Sequence, residues 1–169
     1  SDNTYKEYSE IMLFKGLLAY DVETPNYSVF TNDMTYYRSI EFDANKYIIL
    51  NKINGSRSPV TRMYDYYTSI FRGWILIEEE GEYSFACIGD DCHAFCIDNE
   101  TFLFNSSTTT VYGSKTLTAG LHKVEFYHRE AAGEDYYQLQ WKKPGDASYS
   151  DVSDVFYYRG DMSFDDLPE

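Results

Sequence analysis

Short apolar or alternating runs separated by turn chemistry dominate the chain. Gly73-Trp74-Ile75-Leu76-Ile77 is an apolar run, ended by Glu78-Glu79-Glu80-Gly81, a charged turn with a glycine to reverse direction. Tyr83-Ser84-Phe85-Ala86-Cys87 alternates with period two, which puts Tyr83, Phe85 and Cys87 on one face of a strand. A break follows at Gly89-Asp90-Asp91. Ala94-Phe95-Cys96-Ile97 is the next strand, closed by a tight turn at Asp98-Asn99. Thr118-Ala119-Gly120 then turns the chain into Leu121–His128, where Val124 and Phe126 alternate with Lys123, Glu125 and Tyr127. After a loop over Arg129–Asp135, Tyr137, Leu139 and Trp141 line one face of a further strand, stopped by Lys143-Pro144-Gly145. Trp74 and Trp141 fall on faces expected to be inward, and so belong to the core. Only Asp2–Leu18 is a candidate for a helix, and the acidic tail Asp161–Glu169 is expected to fray.

Regular spacing of short alternating strands predicts an all-β antiparallel sandwich with at most short helices. The length of 169 residues fits one domain over 1–169. Composition strengthens the β assignment. Eighteen Tyr and eleven Phe supply most of the large side chains, and aromatic residues suit a pleated, half-buried surface.

A net charge of −14 changes the functional picture more than the structural one. It argues against nucleic acid, which needs a Lys/Arg surface, and against an anionic membrane surface. No run reaches the apolar length of a membrane span, and Ile11–Leu18 is interrupted by Lys15. Most of the acidic surplus is solvated surface. The part that matters is any place where carboxylates converge on a hard cation.

Catalytic chemistry is poorly represented, and a non-enzyme is expected. His93, His122 and His128 lie in or at the ends of strands, with no nucleophile elbow and no phosphate-cradling glycine loop. Cys87, Cys92 and Cys96 lack metal-ligand spacing; a disulfide between two of them across a hairpin is compatible with their positions, but the pairing stays open. Asn-x-Ser/Thr sequons begin at Asn26, Asn54, Asn99 and Asn105 and give weak support for a secreted origin. Tyr64, Tyr66 and Tyr67 cluster before the Phe71 strand, where a tyrosine-rich loop would suit ligand contact.

Asp90 and Asp91 are the strongest local signal. Neighbours in a regular strand point to opposite faces, so two consecutive carboxylates serve one ion only if the backbone bends between them, as a cis peptide would allow. Calcium is the apt ion, since it takes six to eight oxygens from carboxylates, carbonyls and water. Taken alone, however, Gly-Asp-Asp is also ordinary turn chemistry with both side chains in water.

The wider context changes that balance. Phe71-Arg72-Gly73-Trp74, Gly81-Glu82-Tyr83-Ser84-Phe85, Gly89-Asp90-Asp91, Phe95-Cys96-Ile97-Asp98, Leu117-Thr118-Ala119-Gly120-Leu121-His122 and Leu139-Gln140-Trp141 follow one another in order. The series resembles the PA-fourteen family, named after the fourteen-kilodalton piece of anthrax protective antigen. Gly16-Leu17-Leu18-Ala19-Tyr20 is similar to the family's opening strand.

The resemblance implies a β-sandwich used in adhesins, toxins, glycosidases and signalling proteins, mostly outside the cell. In the family's flocculins and epithelial adhesins, consecutive aspartates joined by a cis peptide hold calcium, which binds sugar hydroxyls directly. Asp90 and Asp91 fall on those positions. The second loop would be His128–Asp135, with His128 at the side-chain position, backbone carbonyls near Glu130 and Ala132, and Asp135 beside the ligand. Asp98 matches a turn aspartate expected to accept backbone hydrogen bonds.

Two residues depart from the pattern. Histidine is a poor ligand for a hard cation, so either Glu130, Glu134 or Asp135 substitutes for it or the site binds calcium weakly. Cys92 replaces a glycine or small residue after the aspartates. The leading expectation is a monomeric calcium-dependent glycan-binding module excised from a larger secreted or cell-surface protein. The alternatives are a protein-interaction or toxin-assembly module and an accessory domain of a glycosidase.

Overall fold

The computed structural model describes residues 11–24 and 34–168, and they form an antiparallel β-sandwich. In chain order the elements are β1 (Leu13–Lys15), β2 (Leu17–Glu23), a single helical turn α1 (Thr35–Arg38), β3 (Ile48–Leu50), β4 (Asn54–Gly55), β5 (Tyr67–Ile77), β6 (Gly81–Asp90), β7 (Cys92–Ile97), β8 (Glu100–Asn105), β9 (Val111–Leu117), β10 (Gly120–Glu130), β11 (Tyr136–Lys142), β12 (Ser150–Asp151) and β13 (Phe156–Arg159). The larger sheet runs β1-β13-β5-β10-β7-β8, with β2 also paired to β5 and β3 to β2. The smaller runs β12-β11-β6-β9, with β4 also on β11.

The main core lies between the sheets, as the period-two faces require. Phe71 and Ile75 of β5, Phe85 and Cys87 of β6, Phe95 of β7, Phe126 of β10 and Leu139 and Trp141 of β11 meet there. A second apolar layer covers the outer face of the larger sheet, where Tyr127, Ile70, Cys92, Ala94 and Cys96 pack under Met34, Tyr37 and Phe42. That cover explains why β7 is buried along its whole length instead of alternating. A polar cluster survives in this layer because it is paired. Glu125 accepts from Arg38 at 2.8 Å and from the Tyr127 hydroxyl at 2.7 Å, while Arg72 donates to the Tyr37 carbonyl at 3.0 Å.

Several expectations change. Residues 11–18 of the predicted helix are strand, because Leu17 and Leu18 are buried beside β5 and Gly16, at φ +124°, turns the chain between β1 and β2; residues 2–10 lie outside the described residues. Trp74 faces outward from the inter-sheet core and is buried instead against Phe164, at 5.4 Å between ring centroids. The acidic tail is therefore held down. Arg159 clamps Asp161 at 2.7 Å and donates to the Asp165 carbonyl at 3.0 Å, and Lys123 meets Asp166 at 2.9 Å. Cys87, Cys92 and Cys96 are all buried free thiols, since β6 carries Cys87 into the inter-sheet core while β7 turns the other two to the opposite face. Asp98 accepts from the His122 side chain at 2.8 Å, and among the described residues no backbone amide donates to its carboxylate. The Asn26 sequon lies outside the described residues.

Candidate functional site

The end of the sandwich where β6 gives way to β7 carries the notable chemistry. Gly89 permits the approach of the chain there, for a Cβ at that position would lie 2.9 Å from both Cβ and Nδ1 of His93. His93 is itself buried, with Nε2 3.0 Å from the Thr109 carbonyl; burial pulls its pKa down. The Asp90–Asp91 peptide bond is cis. The carboxylates of Asp90, Asp91 and Glu130 converge, with ligand oxygens all within 4.8 Å of one another.

Glu130 reaches this cluster because β10 is longer than the sequence suggests. Its residues stay in register with β5 through His128↔Ser69, Arg129↔Thr68 and Glu130↔Tyr67, so the connecting loop begins only at Ala131. Strand alternation then sends Phe126, His128 and Glu130 to the inner face and Arg129 to the outer one. Glu130 is 1% exposed, yet neither of its carboxylate oxygens has a hydrogen-bond partner among the described residues. An unpaired buried carboxylate is costly. Burial, followed by the charges of Asp91 and Asp90, pushes its pKa up to about 8. Asp90 is raised too, by burial and then by Asp91.

His128 occupies a supporting position. Its ring is fully buried between Tyr67 and Tyr137, at centroid distances of 5.6 and 5.1 Å. Nε2 donates to the carbonyl oxygen of Asp90, which leaves Nδ1 as a bare nitrogen with no partner among the described residues. Burial lowers its pKa to about 4, so the ring is neutral at physiological pH. The ring thus meets the aspartate backbone, and the acidic oxygens beside the aspartates come from Glu130.

The second loop is tied to its surroundings at several points. The Ala131 amide donates to Asp91 Oδ2 at 2.9 Å, and the Ala131 carbonyl accepts from the Tyr66 amide at 2.8 Å. Ala132 lies in the exposed bend, next to Gly133, whose amide donates to Asp65 at 3.2 Å. Asp135 stands outside the carboxylate cluster. Its Oδ2 accepts from the Arg57 amide and from the Tyr67 hydroxyl, each at 2.7 Å. The tyrosine cluster therefore does adjoin the site. Sequence reasoning missed the roles of Tyr67 and Tyr137 as walls for His128, although the odd density of tyrosines before β5 was a signal for the first.

The PA14 domain model matches residues 23–154. The chain belongs to the PA14 domain family. Among curated protein sequences, none matches significantly. Similar solved structures include the PA14 domain of the MpAFP antifreeze protein (17% identity, TM-score 0.67, covering 91% of this chain and 96% of that one). A PA14 sugar-binding domain from an RTX adhesin is similar at 18% identity and TM-score 0.67, over 86% of this chain and 99% of that one. The epithelial adhesin 9 A domain from Candida glabrata, solved in complex with Galb1-3GlcNAc, is similar at 13% identity and TM-score 0.65, over 89% and 92%. At these identities the likeness is one of fold.

Proposed function

We propose that this PA14 domain is a non-catalytic, calcium-dependent carbohydrate-binding module, acting as a monomeric unit of a secreted or cell-surface protein. The observation that carries the reading is Glu130: a carboxylate 1% exposed, without a partner on either oxygen among the described residues, beside Asp90 and Asp91. A buried carboxyl group in that condition fits a cation that would complete its coordination. Asp90, Asp91 and Glu130 would hold the ion. Their donor set is all oxygen, which suits calcium and disfavours zinc or copper. A bound calcium would supply open coordination positions to sugar hydroxyls at the exposed end of the sandwich.

His128 supports this reading as a positioning residue for the Asp90 backbone, and the Ala131 amide does the same for the Asp91 side chain. The sugar-bound adhesin relative adds weight, because it places the same fold in glycan recognition. Isothermal titration with calcium chloride tests the metal step. One site is expected, lost in Asp91→Asn and in Glu130→Gln, and magnesium should compete poorly. Equal affinity in the wild type and both variants would overturn the assignment.

A further inference from the structure

The surroundings of the three carboxylates bear on which sugars the site accepts, an inference that rests on the calcium-dependent reading above. The cluster is more than an acidic surface patch, because Glu130 is buried and both of its oxygens lack partners among the described residues. Three further carboxylates stand around it. Asp65 is fixed to the second loop through the Gly133 amide, Asp135 is held by Tyr67 and Arg57, and Glu134 is exposed in the same loop. Their loop is joined to the cluster: the Ala131 amide donates to Asp91 Oδ2 at 2.9 Å, and Tyr67, which donates to Asp135, packs on His128 at 5.6 Å between ring centroids.

The nearby guanidinium groups are buried or held by other groups, so none is offered to a ligand by the contacts described. Arg129 follows the opposite face of β10 and is 1% exposed, out of reach of a ligand. The Arg57 guanidinium lies over the Tyr64 ring, 3.8 Å from its centroid, and Arg62 donates to the Ser58 carbonyl at 3.4 Å. A doubly charged ion leaves the three ionised ligands with one net negative charge, and the rim adds one for each of its three members.

We propose that Asp65, Glu134 and Asp135 make the site selective for neutral sugars and cationic amino sugars, and exclude sugars that carry a carboxylate or sulfate. Repulsion between the rim and an anionic sugar would act over about a Debye length, so it is felt at close range in physiological salt and weakens as salt rises. Exclusion of this kind sets specificity without any added contact to the preferred ligand.

Matched sets of hexose, hexuronic acid and hexosamine, in the galactose, glucose and mannose series, test the proposal by titration at saturating calcium. In whichever series binds, the uronic acid is expected to bind roughly tenfold more weakly than the neutral sugar, and the hexosamine at least as tightly. Raising the salt should narrow the gap. The double variant Asp65→Asn, Glu134→Gln should bring the ratio of acid to neutral affinity to within a few-fold of one. The proposal is overturned if the uronic acid binds as tightly as the neutral sugar, or if the gap survives both salt and rim neutralisation. Failure of every set to bind in calcium overturns the carbohydrate-binding reading itself, and this inference falls with it.

Discussion

His128 Nε2 donates to the carbonyl oxygen of Asp90, joining the inner face of β10 to the end of β6. The bond gives a buried histidine a structural task at the position where the family resemblance implied a metal ligand. His128→Phe keeps a ring between Tyr67 and Tyr137 but leaves the Asp90 carbonyl unpaired. We expect a loss of about 1–3 kcal/mol in urea unfolding and a 10–100-fold drop in calcium affinity, as for other residues behind a metal ligand. A direct ligand would instead lose metal with little change in the stability of the calcium-free protein.

Glu130 should make the calcium-free protein sensitive to alkaline pH. Its folded pKa of about 8 lies above the ordinary 4.5, so folding favours the protonated form. That contribution is fully present below pH 4.5 and is lost as pH rises through about 8. Asp90, raised in the same direction, adds to the trend. In chelator, the melting temperature should fall by several degrees between mildly acidic and mildly alkaline buffer, at about 2–4 °C for each kcal/mol. Calcium should remove most of the fall, and Glu130→Gln should flatten it.

Gly89 leaves no room for a side chain beside His93. Gly89→Ala would force the Cβ against buried atoms at the base of the site, and an overpacking cost of about 1–3 kcal/mol is expected in thermal unfolding. Gly133→Ala, which meets nothing within 4 Å but sits at φ +112°, tests backbone conformation alone and separates the two effects.

Phe164 should contribute to stability although it lies in an acidic tail. It packs on Trp74 and lies 4.2 Å from Lys123 Nζ, measured to the ring centroid. Phe164→Ala is expected to cost about 1 kcal/mol and to change Trp74 fluorescence, with calcium affinity unaltered. An unchanged spectrum would mean that the tail does not rest on Trp74 in solution.

Much of the sandwich was legible because its inward faces obey period two: Tyr83, Phe85 and Cys87 on β6 and Tyr137, Leu139 and Trp141 on β11 all reach the inter-sheet core. The exceptions share a cause. Trp74 lies on the outer face of β5, and alternation cannot show that a distant segment such as Phe164 will cover that face. The short strands β3, β4 and β12 owe their existence to pairing partners, which carry no local signature. At the site, Asp90 and Asp91 stood out as a pair, but the third carboxylate depended on the length of β10. Ending that strand at His128 hid Glu130 in a loop; extending it by two residues places its side chain on the inner face beside the aspartates.

The central claim is that sugar binding passes through a cation held by Asp90, Asp91 and Glu130. Binding of the domain to a panel of neutral glycans, measured in calcium and again in excess chelator, tests it most directly. Binding that appears with calcium, vanishes with chelator and is absent in Asp91→Ala is the expected result. Glycan binding that persists at full strength in chelator, or in a folded Asp91→Ala variant, would contradict the account.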